Sequence, residues 1–220
     1  MNRANKRKGG FEPVSELTTA RLSVYLRCLT TLETALVETI SSQGLAEQFN
    51  LNAAQIRKDL ACFGEFGVRG VGYHVRDLKR HLRQILGLRE RIAVGIVGAG
   101  NLGLALADYP GFRQEGFDIV ALFDNQPGKV GRETRGGVPI HDVRRLGSVA
   151  KRKRVRLAVI AVPASAAQQV VNRVAAAGIK AILNFSPGTI KAPDGVKVKS
   201  VDLTVSLESL SFYLARGENA

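Results

Sequence analysis

Apolar residues recur at helical spacing near the start of the chain, between Ser15 and Ile40. Most members of this set stand three or four positions from a neighbour, as on one face of an α-helix. We therefore predict a first helix over residues 15–40, with Ser15 as its cap. The apolar set consists of Leu17, Leu22, Val24, Tyr25, Leu26, Leu29, Leu32, Leu36 and Ile40.

Two shorter helical segments follow and predict a helix-turn-helix. The stretch SSQGLAEQF predicts a second helix, NLN a tight turn, and AAQIRKDLACFG a third helix that starts at an Asn52 cap and ends at Gly64. The later helix of such a pair lies across the major groove of DNA, where we expect Gln55, Arg57 and Lys58 to reach base edges or phosphates. A helical bundle that binds no DNA has similar periodicity. The opposite, buried side is predicted to hold Ala54, Ile56, Leu60 and Phe63.

The glycine-rich stretch EFGVRGVGYHV predicts a β-hairpin wing after the helix-turn-helix, with Arg69 at its tip. An arginine in this position can enter a narrow minor groove. We place Arg69, Gly70 and Tyr73 of the wing in the predicted DNA-binding set. The alternative is a surface hairpin whose arginine is only solvated. A further helix over residues 75–86 is predicted to close this unit.

A glycine-rich loop follows the first apolar strand of the second part of the chain. We predict the strand over residues 91–97 and a helix over LALADY, and the loop between them has the form GxGxxG. In this fingerprint the first glycine permits a tight turn, the second lets the backbone approach a pyrophosphate, and the third lets helix and strand pack closely. The loop consists of Gly98, Ala99, Gly100, Asn101, Leu102 and Gly103.

An acidic residue stands where a dinucleotide fingerprint needs one. The next predicted strand, residues 117–123, is followed by Asp124, 21 positions after Gly103. A carboxylate there bonds the ribose hydroxyls and repels a 2′-phosphate, and the next two residues, Asn125 and Gln126, are neutral. We therefore expect NAD and NADH rather than NADP. The alternative is an acid that only stabilises a turn.

Further strands extend the pattern toward the C-terminus. A third strand over residues 157–162 is followed by Pro163, a helix covers 166–177, and a fourth strand covers 181–183. This alternation predicts an α/β Rossmann domain with a doubly wound parallel sheet, preceded by an α+β winged helix-turn-helix domain. The amphipathic segment LTVSLESLSFYLARG predicts a last helix that covers either its own domain or a partner subunit.

Length and charge agree with this division. The 220 residues suit two units of about 100 residues each. The formal net charge of +13 favours a polyanionic partner, although it does not identify that partner. Seven Lys and Arg residues lie within positions 144–156, a run that is more often a solvated surface than a nucleic-acid contact.

The remaining composition predicts an ordinary cytoplasmic protein. The basic first ten residues are not followed by the apolar run of a signal peptide, and no apolar run is long enough to span a membrane. The two cysteines, Cys28 and Cys62, lack metal-ligand spacing. We therefore expect reduced thiols, no metal and no membrane partner.

A Rossmann unit also occurs in dehydrogenases, which are the main alternative among enzymes. Hydride transfer needs a general acid or base near the nicotinamide, and the only histidines are His74, His81 and His141. None of them follows a predicted strand in the position where such a group normally lies. A second alternative is a related ligand-binding fold such as a CoA-binding domain. Neither alternative needs a helix-turn-helix, so we predict a protein that is not an enzyme.

Five segments together resemble the Rex family of redox-sensing repressors. They are RLSVYLRCL, QIRKDLACFGEFGVRGVGY, GAGNLGLALADYPGF, ILNFSP and VDLTVSLESLSFYL, in this order over nearly the whole chain. The resemblance implies a homodimeric transcriptional repressor that binds double-stranded operator DNA when free or NAD+-bound and is released by NADH. It implies a DNA-binding domain over residues 1–90, an NAD(H)-binding domain over 91–200, and a domain-swapped helix over 201–220 that lodges between the partner's two domains.

The resemblance also implies a switch relay across the dimer, with Arg27, Tyr109 and Asp202 in the matching positions. In the implied mechanism NADH draws Tyr109 toward the partner's Asp202 and frees Arg27. The subunits then rotate, and the two recognition helices lose the spacing of the operator half-sites.

Residues beside the nicotinamide are implied in the same way. Ala105, Tyr109 and Leu203 take these positions, and Leu203 stands where some relatives have phenylalanine. Cys62 replaces an aromatic residue that some relatives carry in the recognition helix. The predicted cofactor set is Gly98, Ala99, Gly100, Asn101, Leu102, Gly103, Ala105, Tyr109, Asp124, Pro163 and Leu203.

Overall fold

The computed structural model describes residues 14–217, and these divide into two compact units between Glu90 and Arg91. The basic start of the chain, residues 1–13, and residues 218–220 lie outside the described residues. Predictions that fall on these ends stay predictions.

The N-terminal unit combines helices with a small antiparallel sheet. Its elements are α1 (Glu16–Thr34), β1 (Thr39–Ile40), α2 (Ser42–Phe49), α3 (Ala53–Ala61), β2 (Gly67–Val68), β3 (Gly72–His74) and α4 (Val75–Ile85). The strand order is β1-β3-β2. Helix α1 contributes much of the core, which contains Leu22, Tyr25, Leu26, Cys28, Leu29 and Leu32.

The first helix is shorter than the apolar pattern predicts. Ser15 caps it as expected, since its side-chain oxygen accepts a hydrogen bond from the Thr18 amide at 3.1 Å. The prediction that the helix continues to Ile40 is wrong, because α1 ends at Thr34 and Leu36 has a φ of 60°, which a helix cannot accommodate. Ile40 instead pairs with Tyr73 between β1 and β3.

The helix-turn-helix forms at the predicted place. Asn50 has a φ of 51° and ends α2, and the Asn52 side chain caps α3 by accepting from the Gln55 amide at 2.9 Å. Helix α3 ends at Ala61, so the predicted end at Gly64 is three residues late.

The buried face of α3 differs in part from the predicted one. Ile56 and Leu60 are buried as expected, whereas Ala54 is exposed and Phe63 is only half-buried. Asp59 is buried on this face instead. An apolar pattern does not predict a buried carboxylate, because burial of a charge requires partners elsewhere in the chain.

The predicted wing is present as strands β2 and β3. They pair antiparallel, with Gly67 opposite Tyr73 and Val68 opposite Gly72. Gly72 has a φ of 102°, and a Cβ at this position would lie 2.6 Å from the Ile40 carbonyl oxygen. Only glycine therefore fits where β3 passes β1.

The C-terminal unit is a six-stranded parallel sheet with helices, and it confirms the predicted Rossmann class. Its strands are β4 (Ile92–Val97), β5 (Phe117–Asp124), β6 (Ile140–Asp142), β7 (Leu157–Ile160), β8 (Ala181–Asn184) and β9 (Lys197–Ser200), in the order β6-β5-β4-β7-β8-β9. Its helices are α5 (Asn101–Ala107), α6 (Pro110–Gln114), α7 (Leu146–Arg152), α8 (Ala164–Ala176) and α9 (Leu203–Arg216). The short strands β6 and β9 form the two edges and were not predicted.

Apolar side chains cover both faces of this sheet, as a sheet with helices on both faces requires. One cluster includes Phe123 with residues of α7 and α8, and the other includes Ile96 and Leu122 with Ala107 of α5. Among residues 14–217, no helix is long and apolar enough to cross a membrane. The same residues contain no cluster of histidine, cysteine and acidic side chains that could hold a metal ion.

Candidate functional site

The glycine loop after β4 has the close packing that its fingerprint requires. A Cβ on Gly98 would lie 2.3 Å from the Ala161 carbonyl oxygen, and a Cβ on Gly103 would lie 1.8 Å from that of Gly98. At Gly100, in contrast, an added Cβ would meet no atom within 4 Å. Gly98 and Gly103 therefore let strand and helix pack, whereas Gly100 leaves open space at the start of α5.

Asp124 lies at the end of β5, directly beside this loop. It is only 8% exposed, and its two carboxylate oxygens accept from the Ala99 amide at 2.8 Å and the Gln126 amide at 2.9 Å. The ammonium of Lys129 lies 3.6 Å from the same carboxylate. Asp124 thus holds the glycine turn in place, and the Lys129 ammonium partly balances its charge.

A cavity of about 470 Å³ opens at the carboxyl ends of β4, β5 and β7. Such a crevice is where open α/β sheets bind nucleotides. Four predicted cofactor residues line it: Gly98, Gly100, Asp124 and Pro163. A glycine loop, an acid and an apolar wall therefore come together in this cavity.

The cavity also has lining residues that sequence reasoning missed. Lys129 lies on the β5 side, and α8 contributes Ala166, Gln169, Val170 and Arg173. The α8 residues share one helix face, because they follow the spacing i, i+3, i+4 and i+7. That spacing was a usable signal, whereas nothing in the sequence pointed to Lys129.

The remaining predicted cofactor residues lie outside the lining of this cavity. Ala99 is buried in the turn, Gly103 is buried within α5, and Asn101, Leu102 and Ala105 also lie on α5. Tyr109 is 57% exposed and packs edge-on against Phe112, with ring centroids 5.3 Å apart. Leu203, at the start of α9, is 63% exposed.

The three predicted relay residues are all exposed. Arg27 lies on the outer side of α1, in the N-terminal unit. Tyr109 precedes α6, and Asp202 caps α9 by accepting from the Thr204 amide at 2.9 Å.

Four of the six predicted DNA-binding residues line one concave surface of the N-terminal unit, and Gln55 and Lys58 lie outside its lining. A cavity of about 570 Å³ between α3 and the wing is lined by Arg57, Arg69, Gly70 and Tyr73, among others. Arg57 donates to the Ser42 hydroxyl at 2.9 Å, which ties α3 to α2, and Lys58 is exposed. Tyr73 is buried, and burial raises the pKa of its hydroxyl.

A buried polar cluster fixes α3 to α1. The Asp59 carboxylate, 2% exposed, accepts from Arg21 Nε at 2.5 Å and Nη2 at 2.7 Å, from the Tyr25 hydroxyl at 2.9 Å and from the Gln55 side-chain amide at 2.8 Å. These bonds, the Arg21 bonds foremost, hold the pKa of Asp59 below its ordinary range, while burial raises the pKa of Tyr25. Gln55, a predicted base contact, is therefore held in a fixed orientation by Asp59.

Both units match known protein families. A model described as a CoA binding domain matches residues 89–188, and one described as a putative DNA-binding protein N-terminus matches residues 13–61. A DNA-binding unit joined to a nucleotide-binding unit defines the class of ligand-responsive transcription regulators.

Relatives identify the family within this class. The redox-sensing transcriptional repressor Rex of Desulfitobacterium hafniense is 49% identical over 90% of this chain and 94% of the relative, and that of Pelotomaculum thermopropionicum is 46% identical over 94% and 96%. The chain belongs to the Rex family of redox-sensing transcriptional repressors. The relatives are regulators, so the prediction that the chain is not an enzyme is confirmed.

Solved structures of Rex-family relatives also match the chain over nearly its whole length. The crystal structure of RSP in complex with beta-NAD+ and operator DNA has a TM-score of 0.87 and 38% identity, covering 95% of this chain and 100% of that chain. RSP in complex with beta-NADH has a TM-score of 0.82 and 37% identity, covering 94% and 97%. The two-domain fold predicted from the sequence is therefore confirmed.

Proposed function

We propose that two copies of this chain bind operator DNA through α3 and the wing, and that NADH bound in the Rossmann unit releases them. The main observation behind this proposal is that one chain contains two features. They are a glycine-loop cavity lined by Asp124 and an exposed surface between α3 and the wing that carries Arg57 and Arg69. The related RSP has been crystallised with operator DNA and NAD+, and also with NADH. Such a repressor acts in the cytoplasm, where its DNA lies.

The geometry supports the following proposed residue roles at the nucleotide. Gly100 leaves room for a pyrophosphate at the amino end of α5, and Asp124 lies where ribose hydroxyls are bound. Residues 125 and 126 are neutral and so would not balance a 2′-phosphate, and the Lys129 ammonium already lies against the Asp124 carboxylate. We therefore propose that the site binds NAD and NADH rather than NADP. From the resemblance to the Rex family, we propose that Ala105, Tyr109 and Leu203 contact the nicotinamide.

The proposed switch depends on a difference in affinity. NAD+ and NADH differ in charge and ring geometry, and a ligand shifts an equilibrium only through its different affinity for the two states. In our proposal NADH favours a contact between Tyr109 and the partner's Asp202. Arg27 then no longer binds the carboxylate of the partner's Asp202. The released dimer then no longer matches two half-sites one helical turn apart.

The first prediction tests this relay. Operator binding by the wild-type protein should weaken at least tenfold when NADH replaces NAD+ at saturation, measured by fluorescence anisotropy at a fixed salt concentration. Tyr109→Phe and Asp202→Ala should each reduce this ratio, because each removes one partner of the relay. Asp194→Ala serves as a matched control that removes an exposed carboxylate outside the proposed relay. An unchanged NADH response in both relay variants would contradict the proposal.

We also propose that α9 packs on a second subunit. Every residue of this helix is exposed, although Leu207, Leu210 and Phe212 are apolar and Leu214 is 82% exposed. An amphipathic helix with its apolar side in water is unfavourable, because apolar area left in water costs about 25 cal/mol per Å². A second copy of the chain can cover this side in the swapped arrangement implied for the family.

The second prediction tests the role of α9. Changing Leu207 and Leu210 to Asp should convert a dimer into a monomer in sedimentation velocity, because charges cannot be buried unpaired at an interface. The matched control changes Ser206 and Ser211 to Asp on the same helix. A dimer that persists in the leucine variant would refute this role of α9. In that case the DNA-binding and NADH proposals stand separately.

A further inference from the structure

The basic run within positions 144–156 lies in a part of the chain whose charged side chains are all positive. Residues 143–193 contain ten Lys and Arg and no Asp or Glu. A solvated surface normally intersperses both signs of charge. Part of this excess comes together where α7 ends and β7 begins, a surface that we call the basic edge. It consists of Lys151, Arg152, Lys153, Arg154, Arg156 and Lys180.

The backbone of the basic edge is fixed. The amide of Lys153 donates to the Val149 carbonyl at 2.8 Å, and that of Val155 donates to the Ala150 carbonyl at 2.9 Å. The Val155 side chain is buried in the core, and the Arg156 amide donates to the Ala93 carbonyl at 2.9 Å. The cations are therefore presented on an ordered turn and not on a loose tail.

The parallel sheet brings Lys180 to the same place. Leu157 of β7 lies in register with Ala181 of β8, so Arg156 and Lys180 precede the two strands side by side. This is the amino end of the sheet, whereas the glycine loop follows β4 and Asp124 ends β5, both at the carboxyl end. The basic edge is thus separate from the nucleotide site.

The charges of the basic edge are not balanced by nearby acids. Five of its six side chains are exposed and Lys153 is half-buried. Within residues 14–217, none of the six forms an ion pair with a carboxylate. Burial lowers the pKa of His141, and the nearby positive charges of Lys153, Arg145 and Arg152 lower it further.

We propose that the basic edge is a second DNA contact, which binds the phosphate backbone outside the operator. This inference rests on the proposed function, because a protein held on its operator meets flanking DNA at a high effective concentration. Fixed, exposed and unpaired cations gain free energy from phosphates through counterion release. A contact confined to phosphates carries no sequence information, so we expect it to be independent of the flanking sequence.

The test compares a bare operator duplex with the same operator carrying about 20 base pairs of flank on each side. The test variant changes Lys151, Arg152 and Arg154 to Gln. Its matched control changes Arg132, Arg135 and Lys191 to Gln, which removes the same charge from exposed positions elsewhere in the unit. Circular dichroism verifies folding, and affinities are measured between 50 and 200 mM salt.

We expect flanks to tighten wild-type binding about tenfold at the lowest salt, and to tighten binding of the test variant about twofold or less. The salt slope on the flanked operator should fall by about two units in the test variant and by less than one in the control. An equal gain from flanks in wild type and test variant would overturn the inference, as would no gain in the wild type.

Two further arms separate this inference from other outcomes. In the first arm, a random-sequence duplex as long as the flanked operator measures DNA binding by the basic edge even if the protein does not recognise its operator. A wild type that ignores operator sequence, with a weaker salt slope in the test variant, would contradict the proposed function and support the basic edge. Vesicles rich in anionic lipid form the other arm. Binding to vesicles that the test variant loses, without any effect of flanks, would assign the surface to a membrane and overturn the DNA contact.

Discussion

Replacing Asp59 by Ala is expected to reduce operator affinity at least tenfold and to lower the free energy of unfolding. The substitution leaves the buried Tyr25 hydroxyl without its acceptor, which alone costs about 1–3 kcal/mol. It also releases Gln55 and the tie between α3 and α1. Because α3 is the proposed recognition helix, loss of its fixed orientation should weaken specific binding more than non-specific binding.

The measurement pairs urea unfolding with binding to operator and to random duplex. Asp77→Ala is the matched control, since Asp77 is an exposed acid on α4 that pairs with Arg80 at 2.8 Å. Asp59→Asn should restore part of the stability, because an amide oxygen still accepts from Tyr25. If Asp59→Ala weakens operator and random duplex equally while the fold is intact, Asp59 does not position the recognition helix.

The same carboxylate predicts a pH dependence. Hydrogen bonds from Arg21, and then from Gln55 and Tyr25, hold the pKa of Asp59 below its ordinary range in the folded chain. A group with a depressed folded pKa contributes stability above its unfolded pKa, about 4, and this contribution is lost as pH falls through the folded pKa. The difference in unfolding free energy between wild type and Asp59→Asn should therefore be constant from pH 7 to about 5 and shrink below about pH 4. A difference that grows on acidification would contradict this assignment.

Asp59 also marks the limit of sequence reasoning in the N-terminal unit. Helical spacing predicted α2, α3 and the burial of Ile56, because these signals are local. Two partners of Asp59, Tyr25 and Arg21, lie 34 and 38 positions earlier in the chain, so no local pattern predicts these contacts. The end of α1 was mispredicted for a related reason. Ile40 fits the helical spacing, but it lies in strand β1 and pairs with Tyr73 of β3.

In the C-terminal unit, local sequence signals predicted more of the candidate site than they did in the N-terminal unit. The GxGxxG loop and Asp124 act within one βαβ unit, and the structure places Gly98, Gly100 and Asp124 around one cavity. The edge strand β9 was missed because Lys197–Ser200 is polar and short. Lys129 was missed because its position depends on the turn after β5, not on any periodicity. The relay residues came from family resemblance alone, and their contacts across two subunits stay a prediction.

Gly100→Val is expected to produce a repressor that binds operator normally and no longer responds to NADH. Gly100 has φ −81° and ψ −175°, an extended conformation that a β-branched residue adopts readily. An added Cβ meets no protein atom within 4 Å, so the fold has room for it. The same space is where the fingerprint brings a pyrophosphate against the backbone, and the valine side chain would occupy it.

Two variants make this experiment decisive. Gly147→Val places the same side chain in open space on α7 and should leave NADH affinity and release unchanged. Gly103→Ala should instead disturb the fold, because its Cβ would lie 1.8 Å from the Gly98 carbonyl oxygen. For Gly100→Val, calorimetry should record at least a hundredfold loss of NADH affinity, with an unchanged melting temperature and unchanged operator binding without nucleotide. Should NADH still release Gly100→Val from DNA at wild-type concentrations, the pyrophosphate does not lie at this loop, and the nucleotide must act from elsewhere in the chain.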